Sequence, residues 1–375
     1  MLDVDLDQFW RDDEKSHAEN CFSPAAPQVA LGIRMSEECV YAELGEAGSP
    51  WLETPRARRL ELNKRYNDKA EAIVGRRLLP EWLPEEDAVL PPIRGIHEIF
   101  GGQYTVSGEA SWLMPSCGNP EELTRVLELA EDRIRNLRAF ILPGNWAKEK
   151  RRIYEQYGIN PKPFRSIRGP VTLAMSLYGV ENLIYLLIDA PDLAARFSQA
   201  ISDALFGMAT LMDEEAGYTP DNRPGGFSFN DDDCCLLNEA MYRDFALPIL
   251  SRMFEHWSPK TTDVRYQHSD SPMGHLLPTL ARLKFTGCNF GPTLTVQEIR
   301  SHMPQTRIDG QLAPFTFMRN DEAAIIAEVK RDCAVAWPGR GLNLSTAGSI
   351  NNGSLLTSLR AVMHAIQRYG RYPSA

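Results

Sequence analysis

The second half of this chain alternates between strand-like and helix-like patterns, and few folds can be wound from that alternation. Phe164–Arg168 reads as a strand and is followed by Gly169-Pro170, a strand-to-helix punctuation. Five more pairs follow: Gly225–Asn230 with Glu239–Trp257, Asp263–Gln267 with Met273–Leu283, Phe285–Phe290 with Val296–His302, Thr306–Gly310 with Asp321–Cys333, and Gly341–Ser345 with Leu355–Ile366. Pro248 is expected to kink the second of these helices. Leu193, Phe197, Ile201, Leu205, Met208 and Met212 repeat at helical spacing ahead of the second strand. Repeated strand–helix units imply a parallel sheet with right-handed crossovers. Six units, with room for two more between about 90 and 160, predict an α/β fold of the (β/α)8 TIM-barrel type. An open doubly wound sheet is the rival, but no Gly-x-Gly-x-x-Gly follows a strand and no P-loop is present.

The first 90 residues differ. Val29–Ile33 and Val40–Leu44 read as short strands, Pro55–Gly75 as a long charged helix, and Pro80–Pro92 as a connector. The expected organisation is an N-terminal helical cap over 1–90 on a barrel spanning 91–375.

In a parallel α/β fold the carboxyl ends of the strands face one way and bind ligands. Here those ends are polar. His268 and Asp270 close one strand two residues apart, so both side chains share a face. Imidazole and carboxylate suit acid–base work, or make two donors of a metal set, although two donors alone do not make a site. Equally, the pair is a histidine held by a neighbouring carboxylate. Asn230, Asp231, Asp232 and Asp233 follow the next strand back, and an acid in such a crowd is a candidate for a perturbed pKa. Arg168 stands where a guanidinium can clamp an anion, or form a structural ion pair. Asn289, Asp309 and Gln311 also close their strands and either bind substrate or hold loops. The small polar run Ser345–Ser349 offers backbone amides to an anion, or is a simple loop. His97-Glu98 is not part of a His-Glu-x-x-His motif, and no Gly-x-Ser-x-Gly elbow exists.

Composition bounds the rest. A net charge of −10, with no long basic run, argues against nucleic acid as partner. No apolar run approaches the ~18 residues of a membrane span, and Met1–Asp13 is acidic rather than leader-like. Seven scattered cysteines without a Cys-x-x-Cys fit a reducing cytoplasm and read as small buried hydrophobes.

Several of these stretches, in this order, resemble the uroporphyrinogen decarboxylase superfamily. They are Arg168-Gly169-Pro170 before a helix, Gly226–Asp233 followed by Met241–Pro248, His268-Ser269-Asp270, Gly287-Cys288-Asn289, Ser345–Asn351, and the closing Arg368–Tyr372. The resemblance spans roughly 90–372 and implies a (β/α)8 barrel with its site at the carboxyl face. Tyr242, inside the second stretch, joins the candidate substrate contacts. The superfamily's decarboxylases act without a cofactor and use an Arg-Gln-Ala-Gly-Arg stretch that this chain lacks; Arg56-Ala57-Arg58-Arg59 does not match it. Its corrinoid- and thiol-linked methyltransferases hold zinc with His-x-Cys and a later Cys. Here His268 matches the histidine, Asp270 stands at the first cysteine, and Ala347 or Gly348 lies near the second. That substitution points away from a thiolate zinc site and toward zinc in an oxygen-rich set, another divalent metal, or none.

The resulting expectation is a methyltransferase or demethylase acting on a small molecule, with a corrinoid protein or folate as partner and a homodimer as its assembly. His268, Asp270 and Asp232 would be catalytic, with His268 and Asp270 also the metal donors. Arg168, Asp231, Asn230, Asn289, Asp309, Gln311 and Tyr242 would bind substrate. A cofactor-free decarboxylase of a porphyrinogen or other carboxylate is the second reading, and a non-catalytic ligand-binding barrel the third.

Overall fold

The computed structural model describes residues 1–50, 54–107, 110–165 and 168–373. The chain divides into two compact units: Met1–Leu83 joined to Gln267–Ala375, and Pro84–Tyr266. Among the described residues the strands are β1 (Ala30–Leu31), β2 (Gln103–Ser107), β3 (Ala110–Met114), β4 (Phe227–Asn230), β5 (Arg265–Ser269), β6 (Gly287–Phe290), β7 (Arg307–Leu312) and β8 (Leu342–Thr346). The division falls inside β5, after Tyr266.

In the first unit the strands run in the spatial order β1-β8-β7-β6-β5. Pairing is parallel, with Ala30 opposite Asn343, Ile308 opposite Leu342, and Gly287 opposite Arg307. Alternation fixes the register of β8. Leu342, Leu344 and Thr346 are buried, whereas Asn343 and Ser345 are half-buried on the other face. Helices Glu322–Ala336 and Leu356–Tyr369 pack against each other and cover this sheet with Ile325, Val329, Leu359 and Val362, all buried. Each such side chain contributes about 1.5–3 kcal/mol by leaving water. β6 is buried along its whole length, as a central parallel strand should be.

β1 is thus a sheet member, as its apolar residues predict. Val40–Leu44 is not a strand. It is a helical turn entered through the tight turn Glu37–Cys39 and ended by Gly45 at φ 65°. Its buried residues, Cys39, Val40 and Glu43, sit at helical spacing, so Val40 marks a helix face rather than a strand. Helix Arg56–Val74 forms as expected, and residues 80–92 hold no helix or strand.

The second unit is built around helix Pro191–Glu215. Phe197 lies in edge-on contact with Phe100, Tyr178 and Phe245, at centroid distances of 6.2, 6.3 and 6.0 Å. Phe227 and Phe229 of β4 point into the core while Ser228 and Asn230 point out. Arg168 forms a parallel bridge with Asn230, and Gly169 N–H donates to the Asn230 carbonyl at 2.6 Å. The remainder of the strand expected at Phe164–Arg168 includes residues 166 and 167, which lie outside the described residues.

Among the described residues, two further strand–helix units between 90 and 160 do not form. The segment instead holds an antiparallel hairpin, with Tyr104 opposite Leu113 and Thr105 opposite Trp112, followed by helices Pro120–Arg135, Leu137–Ile141 and Trp146–Tyr157. A two-stranded hairpin satisfies its own backbone locally and needs no crossover. The helix expected at Glu239–Trp257 breaks at Ala246, just before Pro248. Met273–Leu283 is likewise three short turns around Pro278.

Among the described residues no single helix is long and apolar enough to cross a membrane. All seven cysteines are free, and six are buried.

Candidate active site

In the first unit the polar ends of β5 to β8 are tied into a lattice. His268 Nε2 lies 3.1 Å from Asp270 Oδ1, and both side chains retain solvent access. Gly348 packs onto Asp270. A Cβ at 348 would come within 2.7 Å of Asp270 Oδ1, and its φ of 121° disfavours any side chain. Gly291 packs from another side, with the Asp270 carbonyl 2.3 Å from its would-be Cβ. Asp270 is therefore seated by two glycines, and its carboxylate is delivered to the imidazole.

Asn289 is a clip. Its amide NH2 donates to the carbonyls of Asp309 and Thr346, the latter at 2.8 Å, and its Oδ1 accepts from Gly348 N–H at 3.1 Å. One buried side chain thus joins β6, β7 and the loop after β8. Gln311 Nε2 donates to the carbonyls of Gly291 and Leu294, at 3.2 and 2.8 Å. Asp309 accepts from Arg307 through both oxygens, at 2.7 and 2.8 Å, and from Asn343 at 2.9 Å. All three predicted substrate contacts thus hydrogen-bond within the protein, while Gln311 Oε1 is buried with no hydrogen-bond partner among the described residues. Two of the loop amides offered to an anion are taken, since Ala347 N–H donates to the Leu312 carbonyl and Gly348 N–H to Asn289.

In the second unit the acid cluster after β4 sorts by burial. Asp231 is completely buried at the start of helix Pro170–Tyr178. Thr172 N–H donates to its Oδ1 at 2.8 Å and Val171 N–H approaches Oδ2 at 3.5 Å. Burial pushes this acid up to about 7, against the pull of those amides. Gly169 is required here because a Cβ would lie 2.2 Å from Asp231 Cβ. Asp233 is raised by burial and drawn back by Arg168, while its N–H donates to Thr172 Oγ1 at 3.0 Å. Asp232 is half-buried and Asn230 exposed. Tyr242 is wholly buried, and among the described residues its hydroxyl has no hydrogen-bond partner. The helical spacing that places it beside Phe245 puts its ring in the core.

Arg168 opens onto a pocket of about 240 Å³, lined also by His97, Tyr104, Leu173 and Met208. Arg168 Nη1 reaches the Tyr104 hydroxyl at 3.4 Å, and the His97 and Tyr104 rings meet edge-on at 4.7 Å. Burial, with Arg168 nearby, lowers the His97 pKa and keeps its ring neutral. Sequence reasoning considered His97 only as part of a metalloprotease motif, which it is not, and did not single out Tyr104. The only signal was their place in a polar–aromatic stretch before and within the hairpin.

The family model described as uroporphyrinogen decarboxylase (URO-D) matches residues 165–369, more than half of the 375 residues. The chain therefore belongs to the uroporphyrinogen decarboxylase family, whose fold is the α/β TIM barrel. Among solved structures it is similar to a methyltransferase from Methanosarcina mazei, at 17% identity over 98% of this chain and 99% of that one, with a TM-score of 0.55. No curated protein matches significantly. Fold class and family thus agree with the reading of the sequence, and the chain is an enzyme of this family.

Proposed function

We propose that the chain transfers a methyl group to or from a small anionic molecule, with a corrinoid protein or folate as the other methyl carrier. The observation that carries this reading is the His268–Asp270 pair, in contact at 3.1 Å and open to solvent at the end of β5. Methyl transfer moves carbon without its bonding electrons, so a substrate heteroatom that gives up methyl must gain a proton and one that receives methyl must lose its own. An imidazole backed by a carboxylate performs either proton movement. Asp270 fixes the ring. In the second unit, Arg168, Tyr104 and neutral His97 line a pocket suited to an anionic group.

A divalent cation, zinc or a harder ion, is the cofactor this pair would help to hold. His268 would offer Nε2 and Asp270 an oxygen, and their spacing suits co-ligands as well as a hydrogen bond. Bound there, it would act as a Lewis acid on the substrate heteroatom.

Decarboxylation is the second reading. It is favoured by Asp231, a carboxyl group whose buried position keeps a proton near neutral pH. The two separate in one experiment. The purified chain is offered a panel of methylated amines, thiols and ethers with reduced cobalamin, and methylcobalamin is followed by absorbance. A parallel set of carboxylates is assayed for released CO2, each with and without chelator. Methyl transfer that is lost in His268→Gln supports the first reading. CO2 release without methyl transfer replaces it with the second.

A further inference from the structure

We propose that a cleft in the first unit, formed by the N-terminal segment with the starts of β7 and β8, binds a small molecule carrying two or more negative charges. The cleft encloses about 710 Å³, the size of a ligand site rather than a surface dimple. Six cationic side chains line it: Arg34, Arg59, Arg76, Arg77, Arg307 and His17. Only two acids do so, Asp13 and Glu37. This local excess opposes the chain's overall charge of −10. His268 and Asp270 are not among the lining residues, nor is any residue of the second unit, so the inference does not rest on the methyl-transfer reading.

The ion pairs inside the cleft leave a remainder. Glu37 is engaged by Arg59. Asp13 lies 3.4 Å from His17, and that contact lifts the imidazole up to about 10, so the ring is cationic at neutral pH. Arg77 is held by Asp68 at 2.8 Å, Glu71 at 3.1 Å, and Glu81. Arg307 is held by Asp309 and by Asn20. Arg34 and Arg76 have no carboxylate partner among the described residues. Arg76 is nevertheless positioned, its guanidinium 4.3 Å over the Trp10 ring, and that ring is anchored by its N–H to the Val74 carbonyl at 2.7 Å. Both guanidiniums line the recess without a carboxylate counter-ion among the described residues, and a multiply charged anion would supply one to each. A single carboxylate is satisfied by one bidentate guanidinium, so the surplus calls for a phosphate ester or a polycarboxylate.

The full-length chain is titrated by calorimetry with pyrophosphate and separately with citrate, up to roughly 10 mM, at low and at high salt. Saturable binding of either anion, weakened by salt, is expected. Pyrophosphate alone marks a phosphate site and citrate alone a polycarboxylate site. Arg34→Gln and Arg76→Gln should each weaken binding by about tenfold, while Arg168→Gln and His268→Gln leave it unchanged even if they abolish turnover. Arg34 and Arg76 are exposed, so these variants should keep wild-type circular dichroism. Absence of saturable binding by both anions overturns the proposal. So does binding that persists at wild-type strength in both arginine variants.

Discussion

At pH 8, Asp231→Asn should stabilise this protein, although it removes a buried group that accepts two backbone amides. The sign follows from linkage. Asp231 has its pKa raised in the folded state, from 3.8 to about 7, chiefly by burial. Between those values the folded chain holds a proton that the unfolded chain has released. Its stability therefore falls as pH rises through that window and levels off above 7. From pH 5 to 8 the loss amounts to about 3 kcal/mol as an upper bound, at about 1.4 kcal/mol for each unit up to 7. Asparagine carries no such proton. It can still accept from Thr172 N–H, but it turns an NH2 toward Val171 N–H, an offset of about 1 kcal/mol that does not vary with pH. Urea unfolding of both proteins at pH 5, 6, 7 and 8 isolates the effect, because all other titrations cancel in the difference. The variant's advantage should grow across the series by up to ~3 kcal/mol. Parallel curves, diverging by less than ~0.5 kcal/mol, would refute the account of Asp231 as a protonated buried acid.

Three other changes test the strand-end lattice. Asn289→Ala removes a buried clip with three hydrogen bonds and should cost about 2–4 kcal/mol in chemical denaturation, since two carbonyls and an amide lose their partner. Gly348→Ala puts a methyl group against Asp270 at a positive φ; a loss of about 1–3 kcal/mol is expected, with a displaced His268 resonance in NMR pH titrations. Tyr104→Phe deletes the phenol beside Arg168 and should raise KM for an anionic substrate by a few-fold with kcat little changed. An unchanged KM would detach Tyr104 from substrate binding.

Strands with strong apolar content and a polar end were legible. Val296–His302 was read to the residue, because Thr295 and Glu298 make a capping box and Pro304 follows. The hairpin at 103–114 was not legible, since nothing in its residues excludes a parallel partner; only pairing distance decides that. In the site, the sequence could place Asn289, Asp309 and Gln311 at strand ends but could not say what they face. A carboxamide that binds substrate and one that clips a carbonyl are the same letter. Burial separated Asp231 from Asp232, and burial is a property of the packed chain. His97 reached a pocket through contacts with Tyr104 and Arg168 that no local spacing encodes.

Because residue 30 pairs with residue 343, β1 lacks its sheet partner until more than 300 further residues have left the ribosome. Residues 84–266 are complete long before that. During synthesis the interrupted half must wait, its early segment unpaired, while the inserted half matures. A nonsense mutation late in the gene, truncating at about residue 340, would then leave the inserted half compact and the flanking half open to proteolysis. The order in which the halves become protease-resistant on stalled ribosomes would record this dependence.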